Sequence, residues 1–304
     1  MSRWAHPFAV VALLSVCLSC GGNAANSLNP TAPSLLDRVL LGTGPAATLV
    51  GAGDIAKCDS PGAELTAKLL DRIPGTVFVA GDNAYMDGSA RDYHDCYDPT
   101  WGRHLNRTRP VPGNHEYQTP NASGYFGYFG ANAGPSGVGY YGYTLGSWFV
   151  LALNSEVSSA EGSAQLGWVR GQLTANPTRC TLVYWHRPLF SSGRNGPNPD
   201  MRDLWRLLYS MDVDVVLNGH DHLYERFARQ TPDGALDPVK GIRQFTVGTG
   251  GAPLYQTIGS APNSEVAAST WGVASFTLEN DSYRWEFIPA EGQTFRDAGS
   301  GTCH

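Results

Sequence analysis

Four short clusters of hard metal ligands occur in one chain order: Gly53-Asp54, Gly81-Asp82-Asn83-Ala84-Tyr85, Gly113-Asn114-His115-Glu116 and Gly219-His220-Asp221-His222. Between the third and fourth stands His186, in Val183-Tyr184-Trp185-His186. Carboxylate, phenolate, amide oxygen and imidazole together suit two neighbouring di- or trivalent cations, the apparatus for attack on a phosphate ester. Such a centre needs one carboxylate between the cations and a distinct ligand set on either side. Each piece alone says little, because Gly-Asp after a strand is usually a turn and an isolated histidine is usually structural. Gly-His-x-His says more, since alternate residues of an extended segment project to one side. Specificity comes from all five pieces in fixed order on one repeating pattern of elements.

That pattern is strand, helix, strand. Thr48 to Gly53 and Thr76 to Ala80 are short apolar runs that each end in Gly-Asp, and Leu65, Leu69, Leu70 and Ile73 between them have helical spacing. Such a unit implies parallel neighbours and a right-handed crossover. Further strands are predicted at Arg109 to Pro112, Phe149 to Leu153, Thr181 to Trp185 and Val213 to Leu217, with helices at Ala164 to Leu173 and Met201 to Met211. Every candidate ligand falls at or just past the end of an apolar run, the rim where open α/β sheets collect ligands. After Tyr224 the helices stop, and Gln244 to Val247, Val273 to Leu278 and Tyr283 to Ile288 predict a second, more antiparallel sheet packed on the first. Tyr117 to Tyr143, rich in Gly, Tyr and Asn without periodicity, is expected to be a long surface loop over the rim that selects substrate. His94 and His104 have no motif around them and are assigned to helix or loop surfaces.

The chain has 304 residues, 42% of them hydrophobic, enough for a substantial core. The five clusters span Asp54 to His222 without a linker-like stretch, so residues 45–304 are expected to form one catalytic domain. With 36 glycines, 20 prolines and 16% charged residues, turn-rich loops on a rigid scaffold are expected. The net charge of -6 provides no basic field for a polyanion, which argues against nucleic acid as a partner.

Residues 1–20 have the composition of an export signal: Arg3 precedes an apolar run, Phe8 to Leu18, that is too short for a membrane anchor. Nothing later resembles a transmembrane span. Cys20-Gly21-Gly22 fits a lipoprotein cleavage site, so the exported chain is secreted, periplasmic or held to a membrane by lipid at Cys20. Residues 21–44 follow as a flexible tether. Outside the leader remain Cys58, Cys96, Cys180 and Cys303, an even number suited to an oxidising compartment. A Cys58–Cys96 bridge would brace two neighbouring metal loops and leave Cys180 with Cys303, but four cysteines allow three connectivities and the sequence does not choose.

The order of clusters resembles the calcineurin-like metallophosphoesterases, and most closely the purple acid phosphatases, over about residues 48 to 230. Matching elements are Gly-Asp, Gly-Asp-x-x-Tyr, Gly-Asn-His-Glu, Val-x-x-His and Gly-His-x-His followed by Leu223-Tyr224-Glu225-Arg226. The resemblance implies an α/β fold, a four-layer αββα sandwich of two mixed sheets. It implies two metal ions: Fe(III) on Asp54, Tyr85 and His222, and Zn, Mn or Fe on Asn114, His186 and His220, with Asp82 bridging. The phenolate of Tyr85, a hard anionic donor, is what favours ferric iron. It further implies hydrolysis of small phosphomonoesters by a metal-bound hydroxide. His115 and Glu116 would face the substrate, His115 to bind phosphate or protonate the leaving alkoxide, and Arg187 and Arg194 would clamp a phosphate oxygen. Plant members carry a histidine pair where this chain has Arg194-Asn195-Gly196, so an acidic pH optimum is not implied. Two other readings stay open: a phosphodiesterase with the same metals, and a catalytically silent surface binding protein. Oligomeric state is not legible.

Overall fold

The computed structural model describes Met1 and residues 45–304. The leader, the tether and Cys20 lie outside the described residues.

Two mixed sheets carry the fold. The first has, side by side, β13 (Asp297–Thr302), β12 (Ser282–Pro289), β11 (Gly272–Leu278), β1 (Ala47–Ala52), β2 (Thr76–Ala80) and β3 (Thr108–Val111). One side of it is the parallel trio β1, β2 and β3, which ends at β3 as the edge strand, with helix α1 (Gly62–Leu70) crossing from β1 to β2. The second sheet contains β4 (Tyr141–Leu145), β5 (Trp148–Ala152), β6 (Thr181–Tyr184), β7 (Val215–Asn218), β8 (Tyr224–Phe227), β9 (Arg243–Val247) and β10 (Ser264–Ala268) in the order β10-β8-β9-β7-β6-β5-β4. Here β5, β6, β7 and β9 run parallel.

The expected second sheet of C-terminal strands is corrected by the pairing. Of those strands, β11 (Gly272–Leu278), β12 (Ser282–Pro289) and β13 (Asp297–Thr302) extend the first sheet, because β11 pairs antiparallel with β1, while β9 joins the second. The first sheet is therefore parallel on the β1-β2-β3 side and antiparallel on the other, and the second is parallel at its centre and antiparallel at both flanks.

Side-chain alternation explains the layers. On β5, Val150 and Ala152 belong to the large core shared by both sheets, whereas Phe149 and Leu151 belong to a second cluster with Leu166, Val169 and Leu173 of α3 (Ala164–Ala175) and Leu204, Trp205 and Leu208 of α4 (Arg202–Ser210). The inner faces meet through rings: Phe245 lies 5.1 Å from Phe276, Tyr224 4.6 Å from Phe287 and Phe78 5.9 Å from Tyr184. With α1 on the outside of the first sheet, the result is the expected four-layer αββα sandwich.

Tyr117 to Tyr143 is not a loop over the rim. It contains α2 (Ser123–Phe129), whose Tyr125 and Phe129 are buried and whose residues stack on Tyr93, with Tyr93 and Tyr128 rings 4.8 Å apart. His104 is likewise not on the surface but buried, its Nε2 3.3 Å from the Ala67 carbonyl; His94 is exposed.

Two disulfides close, Cys58–Cys96 and Cys180–Cys303. The first ties the segment after β1 to the segment after β2. The second ties the start of β6 to the end of β13, one bond spanning both sheets. Among the described residues no helix is long and apolar enough to cross a membrane.

Candidate metal centre

All five clusters leave the carboxyl ends of parallel strands: Asp54 after β1, Asp82 and Tyr85 after β2, Asn114 after β3, His186 after β6, and His220 and His222 after β7. The first three strands are neighbours in one sheet and the last two in the other, so the rim between the sheets brings all seven residues together. Backbone conformation does the local aiming. Asp54, Asp82 and His220 hold φ of 60°, 48° and 74°, left-handed values that cost a non-glycine residue about 1–3 kcal/mol and concentrate at functional sites. Gly113 gives the clearance: a Cβ there would stand 2.2 Å from Asp82 Oδ1.

Each aspartate uses one oxygen as an anchor and points the other into the centre. Asp54 Oδ2 accepts from the His220 backbone N–H at 2.8 Å, and Asp82 Oδ1 accepts from that of His115 at 2.9 Å. The free oxygens converge on Tyr85. Its hydroxyl lies 3.0 Å from Asp54 Oδ1, 3.2 Å from Asp82 Oδ2 and 3.1 Å from His222 Nε2. A second group surrounds His186 Nε2, with Asp82 Oδ2, Asn114 Oδ1 and His220 Nδ1 each at 3.2 Å. Asp82 Oδ2 is thus common to both groups.

The donor chemistry of each group fits a cation. One phenol proton cannot satisfy two carboxylate oxygens and an imidazole nitrogen. His222 Nδ1 donates to the Pro253 carbonyl at 2.6 Å and His186 Nδ1 to the Ala80 carbonyl at 2.8 Å, which turns both Nε2 atoms inward as a metal-ligating histidine requires. Burial disfavours a charged His186, but the Asp82 carboxylate overrides it and pushes the imidazole up to about 10. Burial also opposes ionisation of Asp82, and the His186 charge reverses that to hold it well below the usual carboxylate range. Positive charge is therefore stabilised between the groups. Burial and the Asp54 and Asp82 charges drive the Tyr85 phenol well above its ordinary value, so its phenolate needs a cation to form. His220 is pushed down to about 3 by burial and by its neighbour His186.

The remaining predicted residues divide. His115 is on the rim, its Nε2 3.8 Å from Asp82 Oδ2 and its ring 4.5 Å from that of Tyr85. Glu116 is not: it is fully buried, and its carboxylate accepts from the backbone N–H groups of Gly113 at 2.7 Å, Asn83 at 2.8 Å and Ala84 at 3.3 Å and from the Tyr93 hydroxyl at 3.2 Å. The expectation that it faces substrate is corrected; it is a positioning residue that joins two ligand loops. Burial, then the Asp82 charge, pushes its carboxyl up to about 7. Arg187 Nε pairs with Glu156 at 2.9 Å, and its Nη1 reaches within 3.3 Å of His220 Nε2. Arg194 is exposed, 5.6 Å above the Tyr255 ring, which itself stacks 4.0 Å from His222.

Asp221 lies in the last cluster without standing out by its type, and its carboxylate braces the segment around Ser191 and Asn195. It is buried, stands between the two histidines in the chain, and accepts from the Ser191 hydroxyl at 2.5 Å and the Asn195 N–H at 2.7 Å. The alternation that turns His220 and His222 inward implies that the residue between them points outward, and a buried acid there requires donors.

The calcineurin-like phosphoesterase family model matches residues 48–224. Purple acid phosphatase 15 of Arabidopsis thaliana is 26% identical over 237 residues, covering 66% of this chain and 42% of the relative. Purple acid phosphatase PPD1 from yellow lupin (Lupinus luteus) seeds superimposes with a TM-score of 0.70 at 20% identity over 86% of this chain and 54% of that one. GAP50, the anchor in the inner membrane complex of Plasmodium, gives 0.67 at 16% identity over 85% and 89%. The chain spans about half the length of the plant phosphatases it matches. The family model covers more than half of the residues and contains all seven rim positions, and the chain belongs to the calcineurin-like phosphoesterase family.

Proposed function

We propose that this chain is an exported phosphomonoester hydrolase of purple acid phosphatase type. Asp54, Tyr85 and His222 hold one cation, Asn114, His186 and His220 hold the other, and Asp82 is shared. The observation that carries this reading is Asp82 Oδ2, 3.2 Å from both the Tyr85 hydroxyl and His186 Nε2. Family membership implies two metal ions; a phenolate donor favours Fe(III) on the Tyr85 side, and the imidazole and amide donors on the other side suit Zn, Mn or Fe. When bound, the pair supplies Lewis-acid activation of water and charge neutralisation at phosphorus.

The chain's own groups do the rest. His115 Nδ1 donates to the Met86 carbonyl, which leaves Nε2 facing the site. From there it donates a proton to the departing alkoxide. Arg187, held by Glu156 beside His220, supplies positive charge for a phosphate oxygen. Asp54 and Asp82 hold the cations from adjacent strands of the first sheet, opposite His186, His220 and His222 of the second, and Glu116 keeps the Asn114 loop in register with Asp82. The two disulfides support an oxidising compartment and hence export through residues 1–20, with residues 21–44 as a tether, a lipid at Cys20 in the anchored case, and residues 45–304 as the catalytic domain.

The test is metal content and visible absorbance of the purified chain, together with rates on phenyl phosphate and bis(4-nitrophenyl) phosphate across pH. Iron plus a second metal and faster monoester turnover support the reading. Faster diester turnover replaces it with a phosphodiesterase, and metal binding without turnover of either ester replaces it with a silent binding protein.

A further inference from the structure

Beside His220 opens a cleft of about 360 Å³ that also borders Arg187. A second of about 480 Å³ adjoins it, and both are lined by Ser155, Glu156 and Asp200. They form one groove that starts at the metal rim and runs outward between the segment after β5 and the segment before α4. Each part falls within the range of small-molecule sites.

We propose, resting on the phosphatase reading above, that this groove receives the alcohol part of the ester and selects a compact polyhydroxylated leaving group such as a hexose. Placement comes first. Arg187 stands between His220 and Glu156, so a phosphate at the rim directs its ester oxygen past the guanidinium and into the groove.

The lining decides the rest. Apart from the His220 imidazole at the rim it contains no aromatic ring, and its inner part has only Gly196 and Pro197 without a polar side chain, Val157, Ala160, Pro199 and Met201 lining the outer part, so an aryl group next to the phosphate gains little stacking or apolar burial. Hydroxyls and carboxylates of Ser155, Ser158, Glu156 and Asp200 present hydrogen-bond acceptors at several depths, which sugar hydroxyls satisfy. Charge excludes a third class. Glu156 is paired with Arg187, Arg202 pairs with Asp233 outside the groove at 3.0 Å, and Asp200 carries no ion pair among the described residues. A leaving group that carries further phosphates meets uncompensated negative charge. Asn195, which lines the groove, is braced by its N–H bond to the Asp221 carboxylate.

The experiment measures kcat/KM of the purified full chain for glucose 6-phosphate, phenyl phosphate and inositol hexakisphosphate, in wild type, Asp200→Ala and Asp200→Lys. Asp200 is exposed and is none of the seven rim residues, so both variants keep the fold. Asp200→Ala is expected to lower kcat/KM for glucose 6-phosphate about fivefold, through KM, while phenyl phosphate stays within about twofold, the scale of one lost hydrogen bond. Asp200→Lys is expected to raise turnover of inositol hexakisphosphate. Equal effects of Asp200→Ala on both monoesters, or no effect on either, overturn the proposal. A chain that hydrolyses phenyl phosphate but not glucose 6-phosphate overturns the groove assignment alone, whereas one that hydrolyses neither overturns the phosphatase reading together with it.

Discussion

Glu116 Oε1 accepts a 2.8 Å hydrogen bond from the backbone N–H of Asn83, so the loop that carries Asn114 is pinned to the loop that carries Asp82 and Tyr85. Three backbone donors and a phenol converge on this one buried carboxylate. Glu116→Gln keeps the shape but turns an amide donor toward groups that are themselves donors. It should lower the unfolding free energy by about 1–3 kcal/mol and weaken metal retention without removing a ligand. Urea unfolding and metal analysis of the dialysed variant check both, and unchanged stability with lost turnover would instead make Glu116 a chemical participant.

Asp297 gives a pH signature far from the rim. Its carboxylate accepts from Arg226 Nε at 2.7 Å, the Tyr224 hydroxyl at 2.7 Å and Trp285 Nε1 at 3.0 Å, with its side chain 11% exposed. Burial raises its pKa, but those donors outweigh it and hold the group below the ordinary carboxylate value. A depressed folded pKa contributes stability that is present above the unfolded value, near 4, and lost as pH falls through the folded one. Asp297→Asn should therefore cost about 2 kcal/mol at neutral pH, and its difference from wild type should shrink below about pH 4. Denaturant melts across pH measure the closing gap.

The disulfides differ in what they close. Cys180 and Cys303 are 123 residues apart and Cys58 and Cys96 are 38 apart. Replacing the first pair by serine should cost about 2–5 kcal/mol, and the second about 1 kcal/mol less on loop entropy. Chemical unfolding of the two double variants ranks them.

Tyr85→Phe removes the phenolate and leaves the ring in place. Loss of the visible charge-transfer band with the rest of the fold intact is the expected outcome, and an unchanged spectrum would reassign the ligand.

The rim was legible because its residue types and their placement after apolar runs are local properties. What sequence reading missed depended on distant partners. Glu116 and His115 are neighbours, and nothing in their adjacency tells which faces the rim and which enters the core. The C-terminal strands were legible as strands, but their division between sheets rests on β11 pairing with β1, more than two hundred residues away. Tyr125 and Phe129 have helical spacing that the surrounding glycines obscured; Phe129 packs on the Tyr93 and Tyr97 rings of another segment, and the Tyr125 hydroxyl donates to the Pro110 carbonyl. His104 is buried against the Ala67 carbonyl by the same kind of long-range contact.

Metal stoichiometry of wild type against Asp82→Ala, by mass spectrometry of the purified proteins with circular dichroism to verify the fold, tests the shared carboxylate most directly. Wild type should carry two metal equivalents per chain, and the folded variant should fall below one and lose hydrolysis. A folded Asp82→Ala chain that keeps two equivalents and its turnover would contradict the bridged centre.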